Sequence, residues 1–160
     1  MTSTTDEKWL QESVDLATAN VAAGGGPFGA IVVRGDTLVA TGVNRVTRDL
    51  DPTAHAEVVA IRSACRELGI FALGGGCTLY ASCEPCPMCV ASALWARLDR
   101  VLFAANRHDA ADGGFDDRAF HDLLAAAPPA HWPTSIQERR LGMAVAPFQA
   151  WRDNPLRVDY

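Results

Sequence analysis

Apolar residues near the start of the chain recur at helical spacing. Leu10, Val14, Ala17 and Val21 lie four, three and four residues apart, which predicts a helix over about 6–21. Gly24, Gly25 and Gly26 stop it. The pattern then becomes β-prone: Phe28–Arg34 and Leu38–Val43, separated by Gly35-Asp36-Thr37, read as a hairpin. Asp51-Pro52 resembles an N-cap followed by proline in the first helical position, so a second helix is expected from there. Its apolar face is Ala54, Val58, Ile61, Cys65 and Leu68. After Gly74, Gly75 and Gly76, a buried strand is predicted over Cys77–Ala81, a helix over Cys86–Arg97 and another buried strand over Arg100–Ala105. A Gly/Asp loop over Asn106–Asp117, a short helix to Ala126, a strand around Ser135–Arg140 and an aromatic last segment complete the chain. Helices that carry the chain back between strands predict an α/β fold, with a mixed five-stranded sheet covered on both faces.

Length and composition narrow this picture. A chain of 160 residues, 49% apolar and 21% charged, with no repeat or low-complexity tract, predicts one domain spanning 1–160. Nineteen acidic against 14 basic residues give a formal charge of -5. With no run of lysine or arginine, nucleic acid is not the expected partner. The first residues lack the basic start and apolar stretch of an export signal, and no apolar run is long enough for a membrane span. The expected compartment is the cytoplasm, with no membrane partner. In that reducing setting the five cysteines are expected as thiols, and the crowding of Cys83, Cys86 and Cys89 suggests metal rather than a disulfide framework.

The densest chemistry lies in His55-Ala56-Glu57 and Pro85-Cys86-Pro87-Met88-Cys89, each at an expected helix start. The H-x-E and P-C-x-x-C pair is the signature of zinc-dependent nucleobase deaminases. Residues two apart on a helix lie about 200° apart, so His55 and Glu57 cannot share one side face, and a metal has to sit off the helix end. Two thiolates and a neutral imidazole balance Zn²⁺ and leave a fourth position for water, as catalytic sites do. Glu57 is then the group in the motif able to accept and pass on a proton. Cys83 could replace Cys86 or Cys89, or close the site as a fourth ligand. Its place before the helix start favours a position outside the ligand set. Cys65 and Cys77 fit the core.

At this point the sequence resembles the cytidine deaminase-like superfamily, and within it the bacterial guanine deaminases. The broader likeness is carried by Pro27-Phe28-Gly29-Ala30, Asp51-Pro52-Thr53-Ala54-His55-Ala56-Glu57 and Glu84-Pro85-Cys86-Pro87-Met88-Cys89, which are shared with tRNA adenosine deaminases. The narrower likeness lies in Ser82-Cys83, Trp95-Ala96-Arg97, the segment Ala111 to Asp117, and Pro147-Phe148-Gln149-Ala150-Trp151-Arg152 with the closing Tyr160. The resemblance implies a three-layer α/β/α sandwich, one zinc per subunit, and hydrolysis of the purine base guanine to xanthine and ammonia. It makes His55, Cys86 and Cys89 the ligands and Glu57 the principal proton shuttle. Asp117 matches a second carboxylate near the leaving amino group, with Asp116 beside it as the alternative. Either aspartate also reads as an N-cap of the following helix. Asn44 resembles a residue that hydrogen-bonds the purine, and Phe28 and Trp95 resemble walls of the ring pocket, although all three also fit core or turn positions. Tyr160 joins the substrate contacts through the tail 147–160, which the resemblance implies is swapped between the subunits of a homodimer.

Three other readings stay open at this stage. The same mechanism could serve guanosine, cytosine or an amino-triazine. A tRNA adenosine deaminase shares the metal motif, but the acidic balance and aromatic tail count against it. A structural zinc-binding module without catalysis would show a closed fourth position or a Glu57 turned away from the metal.

Overall fold

The computed structural model describes residues 4–125, 139, 143, 145–156 and 158. Residues Met1–Ala125 form one compact unit and Ala126–Tyr160 a second. The first unit runs α1 (Thr4–Ala22), β1 (Gly29–Arg34), β2 (Thr37–Val43), α2 (Val46–Asp49), α3 (Ala56–Leu68), β3 (Cys77–Cys83), α4 (Pro87–Trp95), β4 (Arg100–Ala105), α5 (Arg107–Asp112) and α6 (Arg118–Ala125); the second contributes α7 (Ala146–Asp153). The described strands form a four-stranded sheet in the order β2-β1-β3-β4. β1 is antiparallel to β2 and to β3, while β3 and β4 are parallel. The sheet is therefore mixed, as expected. The segment 135–140, expected as a fifth strand, falls outside the described residues apart from Arg139, which is in neither helix nor strand.

Alternation along the strands produces the layers. Ala30, Val32, Cys77 and Leu79 pack with Ala56, Ala60, Ile61, Ala64 and Ala93 of α3 and α4, whereas Ile31, Val33 and Tyr80 pack with Trp9 of α1. Two glycines set the spacing between layers. A side chain on Gly29 would meet the α1 backbone, 2.5 Å from the carbonyl oxygen of Ser13, and one on Gly42 would meet α3, 2.2 Å from the carbonyl oxygen of Ala56. Both crossovers, β2-α3-β3 and β3-α4-β4, join parallel strands and place their helices on the same face.

Three local expectations need correction. The buried stripe of α1 is Asp6, Trp9, Ser13, Ala17 and Asn20, while Val21 is exposed. Close approach at Gly29 requires small residues on that side, and the Tyr80 hydroxyl donates to Asp6 at 2.6 Å, so a hydrogen-bonded polar stripe faces the sheet. The helix expected from Asp51-Pro52 begins at Ala56. Asp51 instead accepts from the backbone N–H and hydroxyl of Thr53, a local turn that competes with helix formation. The stretch expected as a loop after Asn106 contains α5, whose start is closed by a reciprocal Asn106/Asp109 capping box.

Candidate functional site

Every crossover helix starts where a parallel strand ends, so the starts of α3 and α4 lie at one edge of the sheet. His55 is the N-cap of α3 and Cys86 the N-cap of α4; both have extended backbone and neither side chain caps its helix. Pro87 supplies the first helical position of α4, where its missing N–H has no consequence. This frees both N-cap side chains to point past the helix ends. Cys86 Sγ lies 3.5 Å from His55 Nδ1 and 3.6 Å from Cys89 Sγ, and Cys89 Sγ lies 3.6 Å from His55 Nδ1. Among the described residues, these three form the cluster able to hold a metal ion.

A hydrogen bond between the two sulfurs, opposed by burial and aided by His55, draws Cys86 down to about 4. The same bond and burial push Cys89 up. His55 is pushed up by its hydrogen bond to Cys86, against desolvation. Glu57, one residue into α3, is buried at 7% exposure. Its carboxyl is raised first by desolvation, with the Cys86 and His55 charges acting in opposite directions.

A cavity of ≈ 540 Å³ opens onto His55, Glu57 and Cys86. Phe28 and Phe115 meet there edge to face, their centroids 5.1 Å apart. Asn44 also lines the cavity, and its side-chain oxygen accepts from Val46 N–H at 3.3 Å. Behind it, Asn20 donates from Nδ2 to the carbonyls of Gly26 and Asn44 at 2.8 and 2.9 Å, holding the glycine turn against the cavity rim. Asp116 and Asp117 complete the wall. Asp116 is engaged by Arg118, through Nε at 2.7 Å and Nη2 at 2.6 Å, and this pairing lowers its carboxyl to about 2. Asp116 also accepts from the Arg118 backbone N–H at the start of α6. An Asp117 carboxylate oxygen instead lies 3.4 Å from His121 Nε2.

The family model for the cytidine and deoxycytidylate deaminase zinc-binding region matches residues 3–105. The chain belongs to this deaminase family. It is 44% identical over 155 residues to a guanine deaminase of Bacillus subtilis (strain 168), covering 96% of this chain and 98% of that protein. An X-ray structure of guanine deaminase from Bacillus subtilis superposes with a TM-score of 0.90 over 96% of this chain and 98% of that one, at 44% identity. A structure of guanine deaminase from Nitrosomonas europaea gives 0.65 at 32% identity, over 72% of this chain and 66% of the other. A tRNA-specific adenosine deaminase of Aquifex aeolicus (strain VF5) is 38% identical over 99 residues, 62% of this chain and 65% of that protein.

The family's metal fits the donor triangle of this deaminase-family chain. Tetrahedral zinc with Zn–S of about 2.3 Å and Zn–N of about 2.0–2.1 Å sets S···N edges near 3.6 Å and an S···S edge near 3.8 Å. The observed edges are 3.5, 3.6 and 3.6 Å. Cys83 stays outside this set: its thiol donates to the Asn106 carbonyl at 3.7 Å and is pushed up to about 11, chiefly by burial.

The structure places the two expected pocket walls differently. Phe28 lines the cavity, but Trp95 does not and is 67% exposed. α4 starts at the ligands, so Trp95 at its other end is about 12 Å farther along the helix. Phe115, in edge-to-face contact with Phe28, shares its wall of the cavity. Tyr160 lies outside the described residues. Sequence reading assigned no part to Glu84 and Arg107, which also line the cavity. Arg107 donates to Glu84 from its backbone N–H, Nε and Nη2 at 2.9, 3.1 and 2.5 Å, joining the loop before Cys86 to the start of α5. The Arg107 hydrogen bonds hold the Glu84 carboxyl down to about 2. The signal was present in the Glu84-Pro85-Cys86 run, but its partner is 23 residues away.

Proposed function

We propose that this chain is a hydrolase that converts guanine and water to xanthine and ammonia. One observation carries the reading: His55 and Cys86 of the donor triangle, buried Glu57, a second carboxylate and an aromatic pair line one cavity. Zinc held by His55, Cys86 and Cys89 would supply a polarised water. Glu57 would accept a proton from the attacking water and deliver it to the ring nitrogen next to C2. Burial suits it to this work, because a carboxyl raised toward neutrality can both accept and give a proton. Asp117 serves the departing amino group, which leaves as ammonia, while Asp116 is held by Arg118. Phe28 and Phe115, packed edge to face, form one apolar wall for the flat ring, and the Asn44 carboxamide pairs with its polar edge. Buried polar partners of this kind penalise the wrong base strongly, by up to about 10⁴–10⁵.

Ammonia release by the zinc-loaded protein tests the reading against guanine, guanosine, adenine, adenosine, cytosine, an amino-triazine and a tRNA anticodon stem. Turnover of guanine far above all others is expected. Preference for the tRNA substrate or for cytosine would replace guanine as the substrate, and zinc-loaded protein inactive on all would leave a structural zinc module.

The full chain, 1–160, acts as one catalytic unit, and its tail 147–160 is exchanged within a homodimer. Exposed Phe148, Leu156 and Val158 supply apolar surface for docking. Deleting 147–160 is expected to reduce both the dimer seen by light scattering and guanine turnover; a fully active truncated monomer would refute the exchange. The cytoplasm is the compartment this reading assigns, in keeping with five free cysteines. Among the described residues, no helix is long and apolar enough to cross a membrane.

A further inference from the structure

The side chains behind Asp117 point to a group that the cavity itself does not expose. His121 sits one helical turn after Asp117, on α6, with its side chain 11% exposed. Its Nε2 is buried and has no hydrogen-bond partner among the described residues. The acceptor within reach is the Asp117 carboxylate, at 3.4 Å. Neighbouring charges are already engaged: Glu84 is tied to Arg107, and Asp116 is tied to Arg118. Arg107 and Arg118 both also feel Asp122.

We infer that His121 is a positioning residue, whose Nε2–H holds the Asp117 carboxylate against the cavity so that one oxygen stays aimed at the leaving amino group. A buried N–H without an acceptor is costly, so the ring favours the Asp117 rotamer that satisfies it. Residues four apart on a helix are neighbours, which makes the pairing local and independent of the metal ligands. Catalytic hydrogen bonds are often long before substrate binds and tighten with it, so 3.4 Å is a resting distance for this contact. The inference deepens the proposed function and rests on Asp117 serving the amino group.

The test is steady-state guanine turnover and zinc content for H121F, H121Q, D117N and the H121F/D117N double variant. Expected is a fall in kcat of about tenfold for H121F with KM changed less than about twofold and zinc retained, the size of effect that a misplaced catalytic group produces. H121Q, which still carries an N–H donor, is expected to recover most of kcat. In the D117N background, H121F is expected to add no further loss, because a residue acting through Asp117 has nothing left to position. An inactive D117N beside a fully active H121F overturns the role of His121 and leaves that of Asp117 standing. A fully active D117N overturns both. Equal losses from H121F in both backgrounds assign His121 to the scaffold alone and overturn the inference. If H121F does not fold, H121N, too short to reach the carboxylate, takes its place in each comparison.

Discussion

Two kinds of helix start meet at the edge of the sheet. α5 begins with a complete capping box, in which Asn106 accepts from the N–H groups of His108 and Asp109, and Asp109 returns a bond to the N–H of Asn106. α3 and α4 begin with His55 and Cys86, whose side chains cap nothing. A good N-cap contributes about 0.5–2 kcal/mol, so each of these two helices forgoes stabilisation of that order. The difference lies in what the N-cap side chain is needed for. Where it serves the fold alone, it turns back onto its own helix. Where it is offered to a cation, it turns outward, and an ion held there would tie the two helix starts together. Placing ligands at helix starts also sets each thiol near the positive end of a helix dipole, which favours the thiolate that zinc requires.

C86S separates the two uses most sharply, because serine is among the best N-caps and a poor zinc ligand. The variant is expected to lose zinc and guanine turnover altogether. Metal-free, it should be more stable in urea than the metal-free parent by about 0.5–2 kcal/mol. Equal or lower stability would mean that α4 forgoes nothing by carrying cysteine there. E57Q tests the next layer of the same helix start: zinc content should match the parent, with kcat lower by about 10²–10⁴. Retained turnover with metal bound would remove Glu57 from the proposed chemistry. N106A is the smallest change. It should cost about 1 kcal/mol in a urea melt and leave zinc content unaltered; a large loss of zinc would show that α5 supports the metal centre and not merely its own start.

Much of the fold was legible because local rules and the tertiary structure agree. The expected hairpin starts one residue early and its second strand one residue late relative to β1 and β2, and the strand over Arg100–Ala105 matches β4. Glycine breaks and runs of β-branched residues act over a few positions, so a single chain displays them. The misreadings arose where a side chain chose between competing partners. Asp51 looked like a helix cap but satisfies Thr53. The apolar periodicity of α1 suggested one stripe, yet the helix turns Asp6, Ser13 and Asn20 inward, because Tyr80 and the loops beyond offer partners that spacing along α1 cannot show. Asn106 and Asp109 did carry a capping signal, which the surrounding glycine and aspartate content obscured.

The candidate site divides in the same way. Residue type and short spacing determined which atoms could hold a metal and which carboxylate lies beside them, since H-x-E and P-C-x-x-C are each confined to a few positions at a helix start. The tertiary structure alone brought His55 within 3.5 Å of Cys86, 31 residues away, by laying two crossover helices on one face of the sheet. It also decided that Phe115 packs edge to face on Phe28 and that Trp95 stands exposed at the far end of α4. Those choices depend on which side of a packed element each side chain faces, and that is set by contacts between segments remote from one another in the chain.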